Sequence, residues 1–156
     1  MKSVIIRTAA LADCQVLADF NLRLAFETES LTLDAATVLE GVRRVVSDSS
    51  KGQYFVAVDG REVVGCTLIT YEWSDWRNSN IWWFQSVYVR SDYRKHGVFR
   101  ALHAHVLQAA KLAGASQLRL YVEEHNTAAI ATYQRLGMSF TPYKVVEQPL
   151  AGHRGD

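Results

Sequence analysis

Residues 93–100 combine the amino-acid types that hold a phosphate group in proteins. The cations Arg94, Lys95 and Arg100 surround Gly97, after an apolar, β-branched run and before a stretch with helical spacing. The first turn of a helix has backbone N–H groups without intrahelical acceptors, and the helix dipole adds partial positive charge there. Gly97 has no side chain, so a bulky anion can approach the backbone closely. These residues favour a diphosphate site, with an ordinary basic surface turn as the alternative.

A second segment joins a strand pattern to a helical pattern farther along the chain. Leu118–Val122 is apolar and strand-like, and Asn126 stands ahead of a helical stretch that contains Ile130 and Tyr133. Gly137 comes after that stretch, where glycine typically ends a helix. The chain therefore has two successive strand–turn–helix units.

Together, the two segments resemble the GNAT superfamily of N-acetyltransferases. That family has Arg/Gln-x-x-Gly-x-Gly/Ala after a strand ending Val-x-Val, and an Asn seven residues before a Tyr that precedes Leu-Gly-Phe or Leu-Gly-Met. Here the first motif stands as Arg94-x-x-Gly97-x-Phe99, and Asn126 and Tyr133 have the family spacing. Phe99 departs from the pattern, so its ring must point away from the phosphates or pack beneath the helix. The resemblance covers most of the chain in element order.

The resemblance implies that acetyl-CoA is the co-substrate and assigns it a set of contacts. The cofactor-binding residues predicted in this way are Val87, Tyr88, Val89, Arg94, Lys95, His96, Gly97, Val98, Phe99, Arg100 and Asn126. Ser86–Val89 would offer backbone groups to the pantetheine arm and to the developing oxyanion. Without the family, Val87 and Val89 are core strand residues and Asn126 is an ordinary helix cap.

Tyr133 is the predicted general acid, because the family places its acid at this position. A phenol with a pKa of about 10 keeps its proton at neutral pH and can donate it to a departing thiolate. Alternatively, Tyr133 is an aromatic on the apolar face of its helix, three residues from Ile130 and Leu136. Glu72 is the first candidate for the general base and Glu29 the second, although each also fits a surface carboxylate.

Two further regions are expected to shape the acceptor pocket. Ala25–Glu29 lies between the first two helices, which cover the acceptor site in this family. Tyr71–Gln85 contains all four tryptophans together with carboxylates, and aromatic faces beside carboxylates suit a cationic amine. The tryptophans could instead pack under helices or cover an edge or a partner. No spacing of His, Asp or Glu indicates a metal site.

Strands and helices interleave along the chain and would position these groups. Apolar periodicity, caps and turns predict strands at 4–8, 53–58, 63–71, 81–89, 118–122 and within 139–146, and helices after Asp13, after Asp34, from about Val98 and at Thr127. Asp59–Gly60 predicts a hairpin turn. The fold class is α/β (α+β) with helices on both faces of the sheet. The resemblance names the GNAT fold, with a mixed, mostly antiparallel sheet splayed between 81–89 and 117–122.

Composition narrows the class of protein. The 156 residues suit one domain, 1–156, and a net charge of +1 indicates neither a nucleic-acid nor a membrane partner. The two cysteines fit neither a zinc site nor a disulfide framework, so a reducing cytoplasm is expected. No signal peptide is expected, because the apolar stretch at the start is short and soon turns polar, and no apolar run approaches the roughly 20 residues of a membrane span.

The expected function is acetyl-CoA-dependent transfer of an acetyl group to a primary amine of a small molecule or protein, by direct attack. Two alternatives remain: a CoA-binding regulatory module without turnover, and an acyltransferase that uses a longer acyl-CoA or a non-amine acceptor. After Gly137 the chain offers only one good strand candidate, and Pro149 interrupts the remainder of the C-terminal stretch. The sheet therefore has an edge to protect, and a homodimer is expected.

Overall fold

The computed structural model describes residues 3–152. The chain divides into two compact units, Met1–Leu120 and Tyr121–Asp156. The described elements of the first unit are β1 (Ile5–Thr8), α1 (Cys14–Glu29), α2 (Ala35–Ser47), β2 (Gln53–Asp59), β3 (Glu62–Ser74), β4 (Ser79–Val89), α3 (Val98–Leu112) and β5 (Gln117–Leu120). Short 3-10 turns precede α1 at Leu11–Asp13 and α3 at Ser91–Tyr93. The second unit contains α4 (Thr127–Arg135).

The five strands form one sheet in the order β1-β2-β3-β4-β5. Neighbouring strands from β1 to β4 are antiparallel, whereas β4 and β5 are parallel. The hairpin between β2 and β3 turns at Gly60, whose φ of 61° suits glycine. The predicted mixed and mostly antiparallel α/β sheet is therefore confirmed.

Strand β4 carries a bulge where its pairing with β5 ends. Leu68 of β3 pairs with Ser86, but the next residue, Ile69, pairs with Phe84, so one extra residue of β4 is accommodated at Gln85. The β4–β5 ladder runs only from Ile81 to Phe84, and the rest of β4 has no β5 partner among the described residues. An extra residue bends its strand, and the backbone edge of residues 85–89 stays open on the β5 side. This is the predicted splay.

Helices cover both faces of the sheet, as predicted. On one face, Leu102 and Val106 of α3 pack in a core with strand residues that include Trp82 and Phe84. On the other face, α1 and α2 pack against a second core that includes Tyr88 of β4. None of the helices within residues 3–152 is both long enough and apolar enough to cross a membrane.

The two predicted helix caps differ in how they act. The carboxylate of Asp34 accepts a hydrogen bond from the backbone N–H of Thr37 at 2.9 Å, as an N-cap does. Asp13 stands at the N-cap of α1 but makes no side-chain cap to that helix. Its carboxylate instead accepts bonds from Arg7 at 2.7 and 3.0 Å and from the N–H of Ala10 at 2.7 Å. Asp13 therefore ties β1 to the start of α1.

The predicted strand within 139–146 is wrong for the described chain, because residues 139–150 form neither helix nor strand. β-branched composition favours a strand only where another edge supplies hydrogen bonds and packing. Pro142 and Pro149 also lack the N–H group that a ladder needs.

Candidate active site

A pocket of about 480 Å³ opens in the first unit beside the unpaired half of β4. Its lining residues are Leu24, Glu27 and Thr28 of α1, Val87, Tyr88 and Val89 of β4, and Arg94 of the turn after β4. Four of these seven are cofactor-binding residues predicted from the sequence. The sequence placed Ala25–Glu29, the expected cover of the acceptor site, between the first two helices, but the structure has these residues at the C-terminal end of α1.

Glu27 is the central charged group of this pocket. One carboxylate oxygen accepts a hydrogen bond from the Tyr88 hydroxyl at 3.1 Å, and the other accepts one from the Arg94 guanidinium at 2.6 Å. The bond from Arg94 is the main reason that the pKa of Glu27 lies below its usual value. A carboxylate with a lowered pKa is a weaker base but a dependable anion at neutral pH.

The helical period of α1 explains why Glu27 reaches the pocket. Leu17, Phe20, Leu24 and Glu27 succeed one another at intervals of three and four residues, so they share one face of the helix. Leu17 and Phe20 are buried in the core under this face. Sequence reasoning selected Glu29 and missed Glu27; the available signal was a carboxylate that continues an apolar stripe.

Arg94 is held by protein groups on two sides. Besides its bond to Glu27, its Nε donates to the carbonyl oxygen of Val89 at 2.8 Å. Its guanidinium carbon lies 5.4 Å from the centre of the Tyr88 ring, within the range of a cation–π contact. Arg94 thus connects α1, the end of β4 and the turn before α3.

Ion pairs fix the first part of that turn. Arg90 forms a fork with both oxygens of Asp92, at 2.7 and 2.8 Å, and also contacts Glu62 at 2.9 Å. The Tyr93 hydroxyl donates to Asp59 at 2.8 Å. The base of the β2–β3 hairpin therefore anchors the turn that leads to α3.

The N-terminus of α3 has the geometry of an anion site. Gly97 is its N-cap residue at φ 82°, and no side chain caps the helix. The first backbone bond of the helix runs from Ala101 N–H to the Gly97 carbonyl, so residues 98–100 have no intrahelical acceptor. Lys95 and Arg100 are exposed and form no ion pair within the described residues. His96 is exposed in the same turn.

Phe99 packs against the next turn of α3. The centre of its ring lies 6.2 Å from that of His103, which is buried and stacked on Phe84 at 5.8 Å. Burial lowers the pKa of His103, which keeps the imidazole neutral. Val98 is also buried in the α3 core. Of the two outcomes expected for Phe99, the structure therefore has the ring against its own helix.

The two predicted bases do not line the pocket. Glu72 lies on β3, accepts a bond from the indole N–H of Trp83 at 3.3 Å and contacts Arg119 of β5 at 3.6 Å. Glu29 is the exposed last residue of α1. Their roles as bases stay predictions.

The tryptophans of the predicted acceptor region separate into different environments. Trp82 is buried and contacts the Tyr71 ring, with 5.4 Å between centroids, whereas Trp73 and Trp76 are 61% and 89% exposed. Trp83 is half-buried. Trp82 therefore lies in the core, as expected if the tryptophans pack under helices. None of the four tryptophans lines the pocket.

The second unit contains the other two predicted residues. The Asn126 side chain accepts a bond from the N–H of Ala129 at 3.2 Å and caps α4. Tyr133 is half-buried on α4, and burial raises the pKa of its phenol. Tyr133 therefore holds its proton at neutral pH, as a general acid must. Glu123, Glu124 and His125 bring potential ligand atoms within 4.8 Å of one another, but all three are exposed.

Comparisons with known proteins agree with this architecture. A family model described as the acetyltransferase (GNAT) family matches residues 20–138. The thialysine N-epsilon-acetyltransferase of Bos taurus is 36% identical over 75 residues, which are 48% of this chain and 44% of that protein. The enzyme of the same name from Sus scrofa is 29% identical over 147 residues, which are 88% of this chain and 85% of that protein.

A solved structure extends the likeness to nearly the whole chain. The crystal structure of a possible acetyltransferase from Clostridium difficile 630 superposes with a TM-score of 0.89 at 39% identity, covering 94% of this chain and 97% of that one. The chain therefore belongs to the GNAT family of acetyltransferases and is an acyltransferase enzyme.

Proposed function

We propose that this protein is an acetyl-CoA-dependent N-acetyltransferase that acylates a primary amine of a small molecule or protein by direct attack. The observation that carries the proposal is the pocket at the open edge of β4, next to a helix N-terminus that no side chain caps. Open strand backbone and uncapped helix N–H groups are the features that a thioester arm and a diphosphate require. The proposal treats residues 1–156 as one functional domain.

The described residues of the cofactor side fit this role. Gly97, which has no side chain, is the N-cap residue of α3, and no ion pair among the described residues neutralises the charges of Lys95 and Arg100. The ion pair with Glu27 holds the Arg94 guanidinium at the rim of the pocket. Acetyl-CoA, when bound, supplies an acetyl group already activated as a thioester. The chain therefore has to bind and orient, without a covalent intermediate.

Glu27 and Tyr88 suit an incoming ammonium group. The lowered pKa of Glu27 keeps its carboxylate charged at neutral pH, and the Tyr88 hydroxyl donates a hydrogen bond that orients this carboxylate. Glu27 therefore attracts and orients the amine. Tyr133 serves as the general acid, and Glu72 or Glu29 as the base, directly or through water.

A base is needed because an alkylammonium with a pKa of about 10.4 is neutral in only about one molecule in two thousand at pH 7. The relatives suggest which amine to try. The names of the two curated enzymes specify an N-epsilon position, so an amine at the end of an amino-acid side chain is the first acceptor to test.

We also propose that the protein acts in the cytoplasm and forms a homodimer. Cys14 and Cys66 are free and buried, which suits a reducing cytoplasm. A homodimer in solution would protect the open sheet edge.

The decisive experiment is a calorimetric titration with acetyl-CoA, followed by an assay of thiol release with thialysine, lysine, a diamine and a short peptide. We expect saturable binding and amine-dependent thiol release. A parallel assay with a longer acyl-CoA tests the acyl preference. Absence of acetyl-CoA binding to the folded protein would overturn the proposal. Binding without thiol release for any amine would instead favour a regulatory module.

A further inference from the structure

Thr67 carries the one hydroxyl group within residues 63–69 of β3, which are otherwise apolar. It lies in the centre of the sheet, opposite Phe55 of β2 and Val87 of β4, and its side chain is fully buried. A buried hydroxyl needs a hydrogen-bond partner within the protein, because water cannot reach it. The Thr67 hydroxyl donates to the backbone carbonyl oxygen of Ser86 at 2.8 Å. A side chain therefore connects β3 to β4 at this position.

The register of β3 and β4 shows in which direction the backbone groups of β4 point. In an antiparallel pair, residues that exchange backbone hydrogen bonds alternate with residues whose N–H and C=O groups point away from the partner strand. The N–H of Arg90 donates to the carbonyl of Val64 at 2.9 Å, and the register is regular from 86 to 89. Ser86, four residues before Arg90, therefore directs its carbonyl toward β3. Val87 directs its N–H the other way.

The Ser86 carbonyl and the Val87 N–H belong to the same peptide group. This group is planar, and in its trans form the C=O and N–H bonds point in opposite directions. Thr67 thus holds the carbonyl end of a peptide whose N–H end faces the open edge of β4. Val87 also lines the pocket at that edge. A backbone N–H that is fixed in this direction can serve as a donor to an oxyanion.

The peptide between residues 86 and 87 needs this additional restraint because β4 is irregular there. Gln85 is the extra residue of the bulge, and the ladder with β5 ends at Phe84. A bulge disrupts the local ladder and increases the twist of its strand. Among the described residues, the peptide is therefore held by a strand on its β3 side alone. Catalytic groups, however, must be held within about 0.5 Å and 10–20° of their productive geometry.

We propose that Thr67 is a positioning residue for acetyl transfer, which orients the Val87 N–H toward the carbonyl oxygen of the thioester by binding the Ser86 carbonyl. This inference rests on the proposed function, which places the thioester at the open edge of β4. As the amine nitrogen bonds to the carbonyl carbon, negative charge develops on the oxygen, and the hydrogen bond from Val87 stabilises it. The charge leaves the oxygen when the C–S bond breaks, and the departing thiolate takes the proton of the general acid.

The first test compares two substitutions of Thr67 that remove different parts of its side chain. Thr67→Val keeps the shape and removes the hydroxyl, whereas Thr67→Ser keeps the hydroxyl and removes the methyl group. We expect kcat of Thr67→Val to fall by roughly ten- to a hundredfold, the effect of a misplaced group, with acetyl-CoA affinity nearly unchanged. Thr67→Ser should retain a kcat close to that of the wild type. Thr70→Val, the same substitution farther along β3, is the matched control and should keep its kcat.

Stability and pH dependence separate positioning from a purely structural role. In urea unfolding, Thr67→Val should be at least as stable as Thr67→Ser, because serine leaves a cavity at a fully buried site. Activity and stability should therefore rank the two variants in opposite orders. The pH profile of kcat for Thr67→Val should keep its shape, since no titrating group is changed. A wild-type kcat in Thr67→Val, or losses of kcat that follow the losses of stability, would overturn the proposal.

The second test observes the peptide itself in the ligand-free protein. In ¹H–¹⁵N spectra, the Val87 amide signal should be displaced in Thr67→Val and should stay near its wild-type position in Thr67→Ser and Thr70→Val. An unmoved Val87 signal in Thr67→Val would overturn the proposal, whatever the activity of the variant. Absence of wild-type turnover with every amine would instead contradict the proposed function. The ligand-free spectra distinguish that failure from a failure of the Thr67 contact.

Discussion

Arg94 and Glu27 show how the partners of a side chain define its chemical role. The motif alone assigns Arg94 to a phosphate, but in the fold two of its nitrogens are bonded to Glu27 and to the Val89 carbonyl. Arg94 therefore organises the pocket while it keeps a positive charge at the rim. The lowered pKa of Glu27 is the reciprocal effect of the same contact. The backbone of α3, with Gly97 at its start, is left as the principal anion site.

Gly97→Asp is expected to abolish acetyl-CoA binding and leave the fold intact. The new carboxylate would stand where the N–H groups of α3 point and would repel the diphosphate. Gly97→Asn is the matched control, because it has the same shape without the charge, and asparagine tolerates a positive φ. Calorimetry should show a much greater loss for the aspartate than for the asparagine. Equal affinities of the two variants would contradict the anion site.

Tyr133→Phe is expected to keep acetyl-CoA affinity and lose turnover by about a hundredfold or more, the usual contribution of a general acid. The ring stays and only the proton donor is removed, so packing is retained. Calorimetry and thiol release at saturating substrates measure the two quantities separately. Turnover at the wild-type rate would show that Tyr133 is only a packing residue of its helix and not the general acid.

Glu27→Gln is expected to raise the KM for a cationic amine by roughly tenfold, the effect of about 1.4 kcal/mol of lost attraction. The value of kcat at saturating amine should change less, because the glutamine keeps the shape of the side chain. Glu40→Gln, at an exposed carboxylate on α2, is the control. An unchanged KM in the Glu27 variant would show that the amine binds elsewhere.

At the scale of elements, one irregularity in β4 creates the site. The bulge at Gln85 coincides with the end of the β4–β5 ladder, so a strand that begins as sheet interior ends with an open edge. At the opposite edge of the sheet, the Arg7–Asp13 ion pair ties β1 to α1, the helix that carries Glu27. The geometry of the site thus depends on contacts between helices and strands as well as on the residues that line the pocket.

Asp13→Asn is expected to lower the free energy of unfolding at pH 7 by about 1–3 kcal/mol, since a nearly buried charged hydrogen bond is lost. The bond from Arg7 holds the pKa of Asp13 below its usual value. Its stabilising contribution is therefore complete above the ordinary aspartate pKa and disappears as the pH falls through the lowered value. Urea unfolding at neutral and acidic pH should show the variant and the wild type converging in acid.

The exposed Asp75→Asn serves as the control for this comparison and should match the wild type at both pH values. A constant difference between Asp13→Asn and the wild type at all pH values would mean that packing, and not the ion pair, carries the effect.

At the scale of the molecule, the family match spans both compact units. The first unit ends at Leu120 and the second begins at Tyr121, yet the acetyltransferase family model runs from residue 20 to residue 138. The proposed cofactor residues also come from both units.

Acetyl-CoA at a hundredfold excess over its Kd is expected to stabilise the protein by about 2.7 kcal/mol. For a chain of this size, that corresponds to a rise in Tm of roughly 5–11 °C. Differential scanning calorimetry at fixed protein concentration measures the shift, and Gly97→Asp should show almost none. Two separate transitions, only one of them moved by the ligand, would indicate that the second unit takes no part in binding.

Much of this protein could be predicted from short stretches of its sequence. The helical period, the Asp34 cap, the Asp59–Gly60 turn and the motif around Gly97 are each encoded by residues that are neighbours in the chain. Such signals need no tertiary contact, so they identified the fold class and the order of elements, whereas four of the seven pocket residues were predicted from the family resemblance. Family resemblance then supplied the expected chemistry.

The tertiary structure alone decided which distant residues meet. Glu27 is 67 positions from Arg94 and 61 from Tyr88, and Glu72 contacts Arg119 across the sheet. No local pattern encodes such pairs, because they arise from the packing of α1 and from strand register. The missing strand after residue 138 has the same origin. Residues 143–148 carry strand propensity, but a strand exists only where a second edge meets it.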